Sequence, residues 1–474
     1  MIFTSITFLF YFLPATLLLY YAVPKCRDLV LLLASMLFYS WGEQLYVLLL
    51  LGSITFNFLV GRELGARNGK ERSLWLAVGI VINLSALGFF KYAGMLWDGV
   101  RVAGHVAGVD LSAFNAGALP IGISFFTFQA ISYLVDVYRG DVPAERGFIK
   151  VAIYISMFPH LVAGPIVRFK TIVRDLHNRR LSAARFNLGV KYVVAGLAQK
   201  VLIANTLAPA VDTIFTLPAG QLATSLAWAG MMGYTLQIYF DFAGYSNIAI
   251  GLAWMLGIRF PQNFNYPYSA TSMTDFWQRW HLSLSNWFRD YLYIPLGGNR
   301  VQTWKMYRNL FMVFGLCGLW HGASITFVLW GFYHGFFLIL EKAWGIRSAE
   351  AGPAILRRIY TLFAVMFGWV FFRCSTVGQA ISYFYALLGL GAGADAAPLF
   401  SMLVPPEVWL AAGAGIIFSF PVVPFFERVL FVSRPSHMLK VSALIYMGVW
   451  AVSLLFVGAV LAVSAYKPFI YFQF

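Results

Sequence analysis

Charge is what this sequence lacks most. Only 11% of its 474 residues are Asp, Glu, Lys or Arg, whereas 60% are hydrophobic. Soluble globular proteins carry about 25% charged and about 45–50% apolar residues, so this chain has too little charge to cover a water-exposed surface. A mean hydropathy of +0.73 agrees, as does the 18% aromatic content, because Trp and Tyr collect at membrane interfaces. The composition predicts an integral membrane protein and excludes a soluble one.

Cysteine is scarce as well. Cys26, Cys317 and Cys374 lie in or beside apolar segments without CxxC spacing, which excludes a disulfide framework or a cysteine metal site. The N-terminus also lacks the basic region and small-residue cleavage site of a signal peptide, so we expect a retained first span.

Several catalytic signatures are missing. The chain has no HExxH and no GxSxG, and its nearest approach to a phosphate-binding loop, GARNGKE at 65–71, has the wrong spacing. These absences argue against a metalloprotease, a serine hydrolase and an ATP-driven pump.

The net charge of +15 (34 basic minus 19 acidic residues) does not indicate a nucleic-acid partner, because the charges are clustered. Basic residues concentrate in 61–73, 165–191 and 279–308, whereas 203–226 and 391–407 contain no Lys or Arg. This alternation is the positive-inside pattern of membrane proteins. The three basic stretches are therefore predicted to be cytoplasmic.

The apolar runs predict an all-α, polytopic membrane domain over residues 1–474. A crossing needs about 20 apolar residues, which gives about eleven to thirteen helical elements. We expect 28–60 to be a hairpin broken near Gly42-Glu43-Gln44. The predicted segments are 2–23, 28–60, 74–92, 117–138, 188–204, 226–258, 309–341, 355–373, 376–391, 407–431 and 441–466.

One apolar segment, 147–165, does not fit as a crossing. Counting it would place the basic stretch 165–191 outside, and Pro159 and Gly164 would interrupt a helix. A re-entrant hairpin resolves both problems. Broken backbone is tolerated at membrane depth only beside protein or a water-filled cavity, so the helices should surround a central tunnel.

The topology after residue 341 stays open. A single crossing at 309–341 would put the following basic residues outside, against the positive-inside pattern. These residues are Lys342, Arg347, Arg357 and Arg358.

The cytoplasmic stretch that follows residue 258 contains a second unusual element. TDFWQRWHLSLSNWFRDYLYIP predicts one amphipathic helix over about 276–293, capped by Asp275 with Gln278 three residues on. Its aromatic side carries His281, and its polar side carries Arg279 and Asn286. Such a helix should lie in the membrane interface, with His281 facing protein or lipid.

Ionisable residues inside apolar runs mark function more often than they do in a soluble core. His321 is the strongest candidate, since it lies in the middle of LFMVFGLCGLWHGASITFVLW; a structural, hydrogen-bonded histidine is the alternative. Asp241 would either pair with a buried Arg or Tyr or shape the site. Cys317, four residues before His321, could form a thiol and base pair but is also an ordinary small helix residue. The remaining candidates are Asp136, His160 and His334.

Long blocks of the chain resemble the membrane-bound O-acyltransferase superfamily, and among its branches the membrane subunit of bacterial alginate O-acetyltransferases. The likeness extends from the N-terminus to about residue 340. The blocks are LPIGISFFTFQAISYLVDVYRG (119–140), FPHLVAGPIVRF (158–169), QIYFDFAGYSNIAIGLAWMLGIRFPQNFNYPY (237–268), FWQRWHLSLSNWFRDYLYIPLGGNR (276–300) and GLWHGASITFVLWGFYHG (318–335).

The resemblance implies a catalytic histidine at His321, in WHG, and a second signature histidine at His281, in RWH. Burial disfavours imidazolium, so His321 should be neutral and able to take a proton from an attacking hydroxyl. His281 would hydrogen-bond the thioester carbonyl or orient the donor. A metal site built on the two histidines lacks a placed carboxylate or thiolate. Further substrate contacts are expected from Arg279, Trp280, Asp241 and Asn286.

The implied activity is transfer of an acetyl group from a cytoplasmic thioester, acetyl-CoA or an acyl carrier protein, across a bacterial inner membrane. The acceptor would be a secreted polysaccharide such as alginate, reached through a periplasmic acetyltransferase partner, with no cofactor. Asn247 and Tyr266 stand where the alginate pattern has Asp and Gln, which weakens the choice of polymer. The alternatives are D-alanylation of teichoic acid, acetylation of peptidoglycan, cellulose or a lipid-linked sugar, and a secondary transporter, although no paired repeat is visible.

Overall fold

A computed structural model describes residues 1–114, 117–345, 352–391, 397–428 and 439–463. Within these ranges the chain forms twenty-one α-helices and no strand, which confirms the all-α prediction. The helices are more numerous than predicted because several apolar runs are broken into short pieces. Contacts divide the chain into two compact units, Met1–Gly189 with Ala249–Pro261, and Val190–Ile248 with Gln262–Phe474.

The first unit is built mainly from nine N-terminal helices, the last of which continues into the second unit. They are α1 (Leu13–Ala22), α2 (Arg27–Glu43), α3 (Tyr46–Ala66), α4 (Gly69–Val106), α5 (Ile123–Arg139), α6 (Phe148–Ser156), α7 (Phe158–Leu161), α8 (Phe169–His177) and α9 (Ala183–Ala198).

Two features of the first unit follow from local sequence. The run 28–60 is broken as predicted, because Gln44 adopts a positive φ of 28° between α2 and α3. Helix α4, by contrast, has 38 residues and extends about 57 Å at 1.5 Å per residue, well beyond a hydrocarbon core of about 30 Å. The stretch between the predicted crossings 74–92 and 117–138 is therefore helical as far as Val106.

The predicted re-entrant segment 147–165 consists of two short helices, α6 and α7, separated at Met157. With nine residues, α6 is about 14 Å long, less than half of the hydrocarbon thickness. It packs on α2 and α3, and every residue from Val151 to Val167 is buried. The segment is too short and too deeply buried in protein to form a separate crossing.

The second unit contains the twelve later helices, the second of which begins in this unit and continues into the first. They are α10 (Asn205–Thr216), α11 (Thr224–Met255), α12 (Met273–Trp277), α13 (Leu282–Phe288), α14 (Thr303–His321), α15 (Ile325–Ala343), α16 (Ala354–Arg373), α17 (Val377–Leu387), α18 (Ala397–Leu403), α19 (Pro406–Phe418), α20 (Val422–Glu427) and α21 (Leu439–Val463). The predicted elements 407–431 and 441–466, the stretch 391–407 and Arg347 fall partly or wholly outside the described residues.

Four helical segments in the described ranges are long and apolar enough to cross a membrane. They are α3, α4, α16 and Ala183–Thr216, in which α9 and α10 are joined by the π-helical Gln199–Ala204. A fifth would be formed by Thr7–Ala22 with Pro24–Glu43, bent by 109°. The protein is therefore multi-pass.

The predicted crossing 309–341 is not one helix. It is an antiparallel hairpin of α14 and α15, turned at Gly322 and Ser324, whose side chain accepts a hydrogen bond from Thr326 N. The end of α15 returns to the start of α14, where Lys342 Nζ lies 3.1 Å from Asn299 Oδ1. The basic residues before α14 and at the end of α15 thus share one end of the hairpin, which removes the charge conflict at Lys342.

Glycines allow the two helices of this hairpin to touch. A Cβ on Gly318 would lie 2.2 Å from Phe327 O, and one on Gly331 would lie 2.1 Å from Phe314 O. Both contacts are with backbone, which cannot rotate away. The close approach fixes the last turn of α14, where His321 lies.

We expect Gly318→Ala to lower the free energy of unfolding by about 1–3 kcal/mol, because the added methyl overpacks a backbone contact. The position of His321 should shift as well, since Gly318 lies one turn before it. The control is Gly413→Ala in α19, where nothing lies within 4 Å of the added Cβ. Thermal unfolding of the purified proteins measures the difference, and equal midpoints would contradict the packing account.

The continuous amphipathic helix predicted over 276–293 is wrong. Helix α12 ends at Trp277, His281 adopts a left-handed conformation with φ 44° and ψ 53°, and α13 begins at Leu282. The cap is also different, because Ser272 accepts the hydrogen bond from Asp275 N, 3.0 Å away. The helix breaks because Leu282 N donates to Asn263 O, at 2.9 Å, instead of to a carbonyl of the preceding turn. The carbonyl of Arg279 accepts from Asn265 N, also at 2.9 Å.

Candidate active site

His281 is held in the break between α12 and α13. A non-glycine residue in the left-handed region costs about 1–3 kcal/mol and persists only where its surroundings impose it. Here Asn263 imposes it from two sides, since its carbonyl accepts from Leu282 N at 2.9 Å and its side-chain Oδ1 accepts from Ser283 N at 3.1 Å. The His281 side chain is 1% exposed.

Hydrogen bonds and aromatic rings surround the His281 imidazole. Nδ1 lies 3.2 Å from Asn263 Oδ1, and the ring meets Phe242 edge to face with centroids 4.6 Å apart. Nε2 has no hydrogen-bond partner among the residues that the structure describes. Burial lowers the pKa of His281 to about 3. The imidazole is therefore neutral at physiological pH, with one nitrogen anchored and one available.

His321 is the last residue of α14 and lies at the tip of the hairpin. It is 5% exposed and packs against three aromatic rings, those of Trp320, Trp330 and Phe372, at centroid distances of 4.9, 5.1 and 5.1 Å. The helix stops here because Gly322 is extended. Only glycine fits at this position, since a Cβ there would lie 2.2 Å from the Phe327 ring. The imidazole is enclosed in a tight aromatic wall.

The two histidines flank one tryptophan. Trp320 lies next to His321 and 6.5 Å from the His281 ring, measured between centroids. Trp280 joins the same cluster through Trp369, at 4.8 Å. The fold thus brings together three of the residues that the sequence predicts for the site, although they come from two separate segments.

His334 lies in this cluster too. Its ring centroid is 5.2 Å from that of Trp277 and 5.0 Å from that of Trp330, and neither ring nitrogen has a partner within the described part of the chain. His334 is fully buried. His160 belongs to the first unit, where it packs on Phe260 at 5.3 Å.

The other predicted contacts lie in ion pairs or at the edge of the cluster. Arg279 Nε is 2.6 Å from Asp275 Oδ1, which ties the segment after α12 to the first turn of that helix. Asp241 is paired with the buried Lys200, a partner that the sequence analysis did not name. Asn286 is half-buried on α13. Asp136, in the first unit, lies 3.3 Å from Lys170 Nζ.

A cleft of about 220 Å³ runs along α14. Leu310, Phe314 and Cys317 line it and share the helical face that continues to His321. Trp277, on the opposite wall, also contacts His334. The polar side chains in the lining are Thr274, Gln278, Ser285, Arg289 and Tyr293, and the others are apolar or aromatic, so the cleft suits a narrow, mainly apolar ligand segment. Among the described residues, no three His, Cys, Asp or Glu side chains converge as a metal site would require.

Two residues of this region were missed by the sequence analysis. Asn263 is 1% exposed and Lys200 is 0% exposed. Lys200 carried a usable signal, because it is a charge inside an apolar run. Asn263 carried none, because an asparagine in a loop has no periodicity and its contacts are formed by residues about twenty positions later.

Comparison with known proteins shows which family the chain belongs to. Residues 139–377 match the membrane-bound O-acyltransferase family. The chain is 44% identical over 394 residues to a probable alginate O-acetylase AlgI of Pseudomonas aeruginosa, covering 82% of this chain and 75% of the relative. It is 40% identical to a probable alginate O-acetylase AlgI of Pseudomonas putida over the whole of both chains. A peptidoglycan O-acetyltransferase of Helicobacter pylori is 35% identical, covering 82% of this chain and 80% of the relative. The chain belongs to the membrane-bound O-acyltransferase family and is an acyltransferase.

Proposed function

We propose that this protein moves an acetyl group from a cytoplasmic thioester, acetyl-CoA or an acyl carrier protein, across a bacterial inner membrane for O-acetylation of a secreted polysaccharide such as alginate. The observation that carries this proposal is the pair of buried imidazoles, His281 and His321, on either side of Trp320. The 40–44% identity to probable alginate O-acetylases supports alginate as the polymer.

His321 is proposed to act as the general base. Its imidazole takes the proton of an acceptor hydroxyl while the hydroxyl oxygen adds to the thioester carbonyl carbon. The carbon–sulfur bond then breaks, the imidazolium returns the proton to the departing sulfur, and an ester and a free thiol result. The aromatic wall excludes water, which protects the thioester from hydrolysis.

The cleft along α14 is proposed to hold the donor arm. Its apolar wall suits an extended chain, and Arg289 is more than half exposed, where it would attract the negative charge of CoA or of a carrier protein. Helix α14 has 19 residues, so His321 lies about 27 Å along the axis from the basic end. A cytoplasmic donor at the basic end would thus reach a deeply placed base.

The topology that this proposal needs can be tested by cysteine labelling. The exposed Cys26 is first replaced by serine, and single cysteines are placed at Gly69, Asn178, Gln302 and Gly220, all exposed. We expect impermeant thiol reagents to label intact cells only at Gly220, because the other three positions lie in or beside basic stretches. The reverse pattern would overturn the re-entrant assignment of 147–165 and move the donor entrance.

The second candidate is O-acetylation of another envelope polymer, which the 35% identity to a peptidoglycan O-acetyltransferase favours. Incubation of the purified protein with labelled acetyl-CoA or labelled acyl carrier, followed by addition of alginate or peptidoglycan, separates the candidates. A secondary transporter would leave the thioester intact.

We further propose a relay to a periplasmic partner, whose hydroxyl accepts the acetyl group at the outer mouth. The stretches that we expect to face outward, 93–118 and 391–407, are short and rich in Gly and Ala, so they offer little surface to hold a long sugar chain. Deleting the partner should abolish polymer acetylation. Efficient acetylation of free polysaccharide by the isolated protein would show that no relay is needed.

A further inference from the structure

The side-chain orientation of Asn263 is determined by an unambiguous donor. The backbone N–H of Ser283 can only donate, and it points at Asn263 Oδ1 from 3.1 Å. Reversing the amide would bring two N–H groups face to face. The other end of the amide agrees, since Nδ2 lies 3.0 Å from Ser246 Oγ on α11. Oδ1 is therefore the atom that faces His281.

This orientation selects one tautomer of His281. Nδ1 lies 3.2 Å from Oδ1, and only a protonated Nδ1 makes that contact attractive. The competing contact, from Ser283 Oγ to Nδ1, is longer at 3.4 Å, and the same hydroxyl lies 2.9 Å from Oδ1. An unprotonated Nδ1 would point its lone pair at the lone pairs of Asn263 Oδ1. The longer contact with Ser283 Oγ would not offset that repulsion.

The tautomer decides what the free end of the ring can do. In a neutral imidazole with Nδ1 protonated, Nε2 carries a lone pair and accepts hydrogen bonds. It cannot donate to a thioester carbonyl, which was one of the two roles expected for His281. The buried Nε2 has no partner among the described residues, as an acceptor awaiting a ligand would.

We propose that Asn263 is a positioning residue that holds His281 as the Nδ1–H tautomer, so that Nε2 accepts a hydrogen bond from an N–H or O–H group of the reactants. This inference rests on the proposed function for its reactants, but the tautomer is a property of the resting protein. The group that donates this hydrogen bond to Nε2 is either an amide N–H of the thioester substrate or the hydroxyl that receives the acetyl group.

The direct test is solid-state NMR of ¹⁵N-histidine-labelled protein in lipid bilayers, with His281 assigned by the loss of its signals in His281→Gln. We expect a protonated Nδ1 and an unprotonated Nε2 in the wild-type protein. Asn263→Ala should lose this preference, whereas Asn263→Asp, which keeps an acceptor oxygen facing Nδ1, should retain it. Asn247→Ala is the matched control, because it removes an amide whose bond, 2.8 Å to Gln199 Oε1, does not reach His281.

Kinetic measurements identify which reactant donates the hydrogen bond to His281 Nε2. We expect Asn263→Ala to reduce kcat/KM for acyl transfer about 10- to 100-fold, the loss typical when a hydrogen-bond partner that orients a metal-binding histidine is removed. A raised KM for the thioester would assign the hydrogen bond to the donor arm, and a lowered kcat at unchanged KM would assign it to the hydroxyl.

An Nε2–H tautomer in the wild-type protein, or an unchanged Nδ1–H tautomer in Asn263→Ala, would overturn the proposal. Both results are read from resting protein, without reactants, and do not depend on activity. Absence of acyl transfer with a confirmed Nδ1–H tautomer would instead count against the proposed function alone.

Discussion

Replacing His321 by alanine should reduce acyl transfer by about 100- to 10,000-fold, the usual contribution of a positioned acid or base. Membrane insertion and abundance should be unchanged, because a neutral imidazole is lost from an aromatic pocket and the helix that follows the turn is capped by Ser324. The measurement is the initial rate of acetyl transfer by equal amounts of purified wild-type and variant protein. His281→Ala should also be severe, with weaker use of the donor.

His334→Ala is the matched control for this experiment. It removes a fully buried imidazole from the same aromatic cluster, so it reproduces the loss of volume without the loss of the proposed base. We expect a lower unfolding temperature and a much smaller loss of activity. If the two variants lost activity equally, packing rather than proton transfer would explain the His321 result.

Replacing Lys200 by methionine should lower the free energy of unfolding by about 3–5 kcal/mol, because it leaves the carboxylate of Asp241 in the protein interior without its lysine partner. Lys200 and Asp241 side chains are 0% and 4% exposed. They join the π-helical Gln199–Ala204 to α11, the helix that also supplies Ser246 and Phe242 beside the His281 site. Thermal unfolding in detergent measures the loss.

The double variant Lys200→Met, Asp241→Leu separates two roles of Asp241. Removing both charges of a buried pair is often neutral or stabilising, so most of the lost stability should return. If Asp241 is structural, activity should return with it. A stable but inactive double variant would instead assign Asp241 to substrate binding, as first expected from the sequence.

Hydropathy identified the chain as a helical membrane protein, and the break in 28–60 was predicted, but hydropathy could not divide the run 309–341. The stretch 309–341 is nearly uniformly apolar, and only Gly322 and the capping Ser324 mark the turn that makes it a hairpin. Those two residues are visible in the sequence. Their importance could not be judged without knowing that Gly318 and Gly331 allow α14 and α15 to pack in direct backbone contact.

The candidate site shows a similar limit. His321 and His281 could be selected because histidines are costly in apolar surroundings and because their segments resemble a family. The break at His281 could not be predicted, since periodicity treats 276–293 as one helix. What breaks the helix is Asn263, whose contacts with Leu282 and Ser283 exist only in the folded chain.

The most direct test of the account uses sealed vesicles that contain the purified protein with its cytoplasmic face outward. Labelled acetyl donor is added outside, and a hydroxyl acceptor with its periplasmic partner is enclosed in the lumen. We expect label on the lumenal acceptor with the wild-type protein and none above background with His321→Ala. Equal labelling by both proteins, or labelling only when donor and acceptor share one side, would contradict transfer across the membrane at His321.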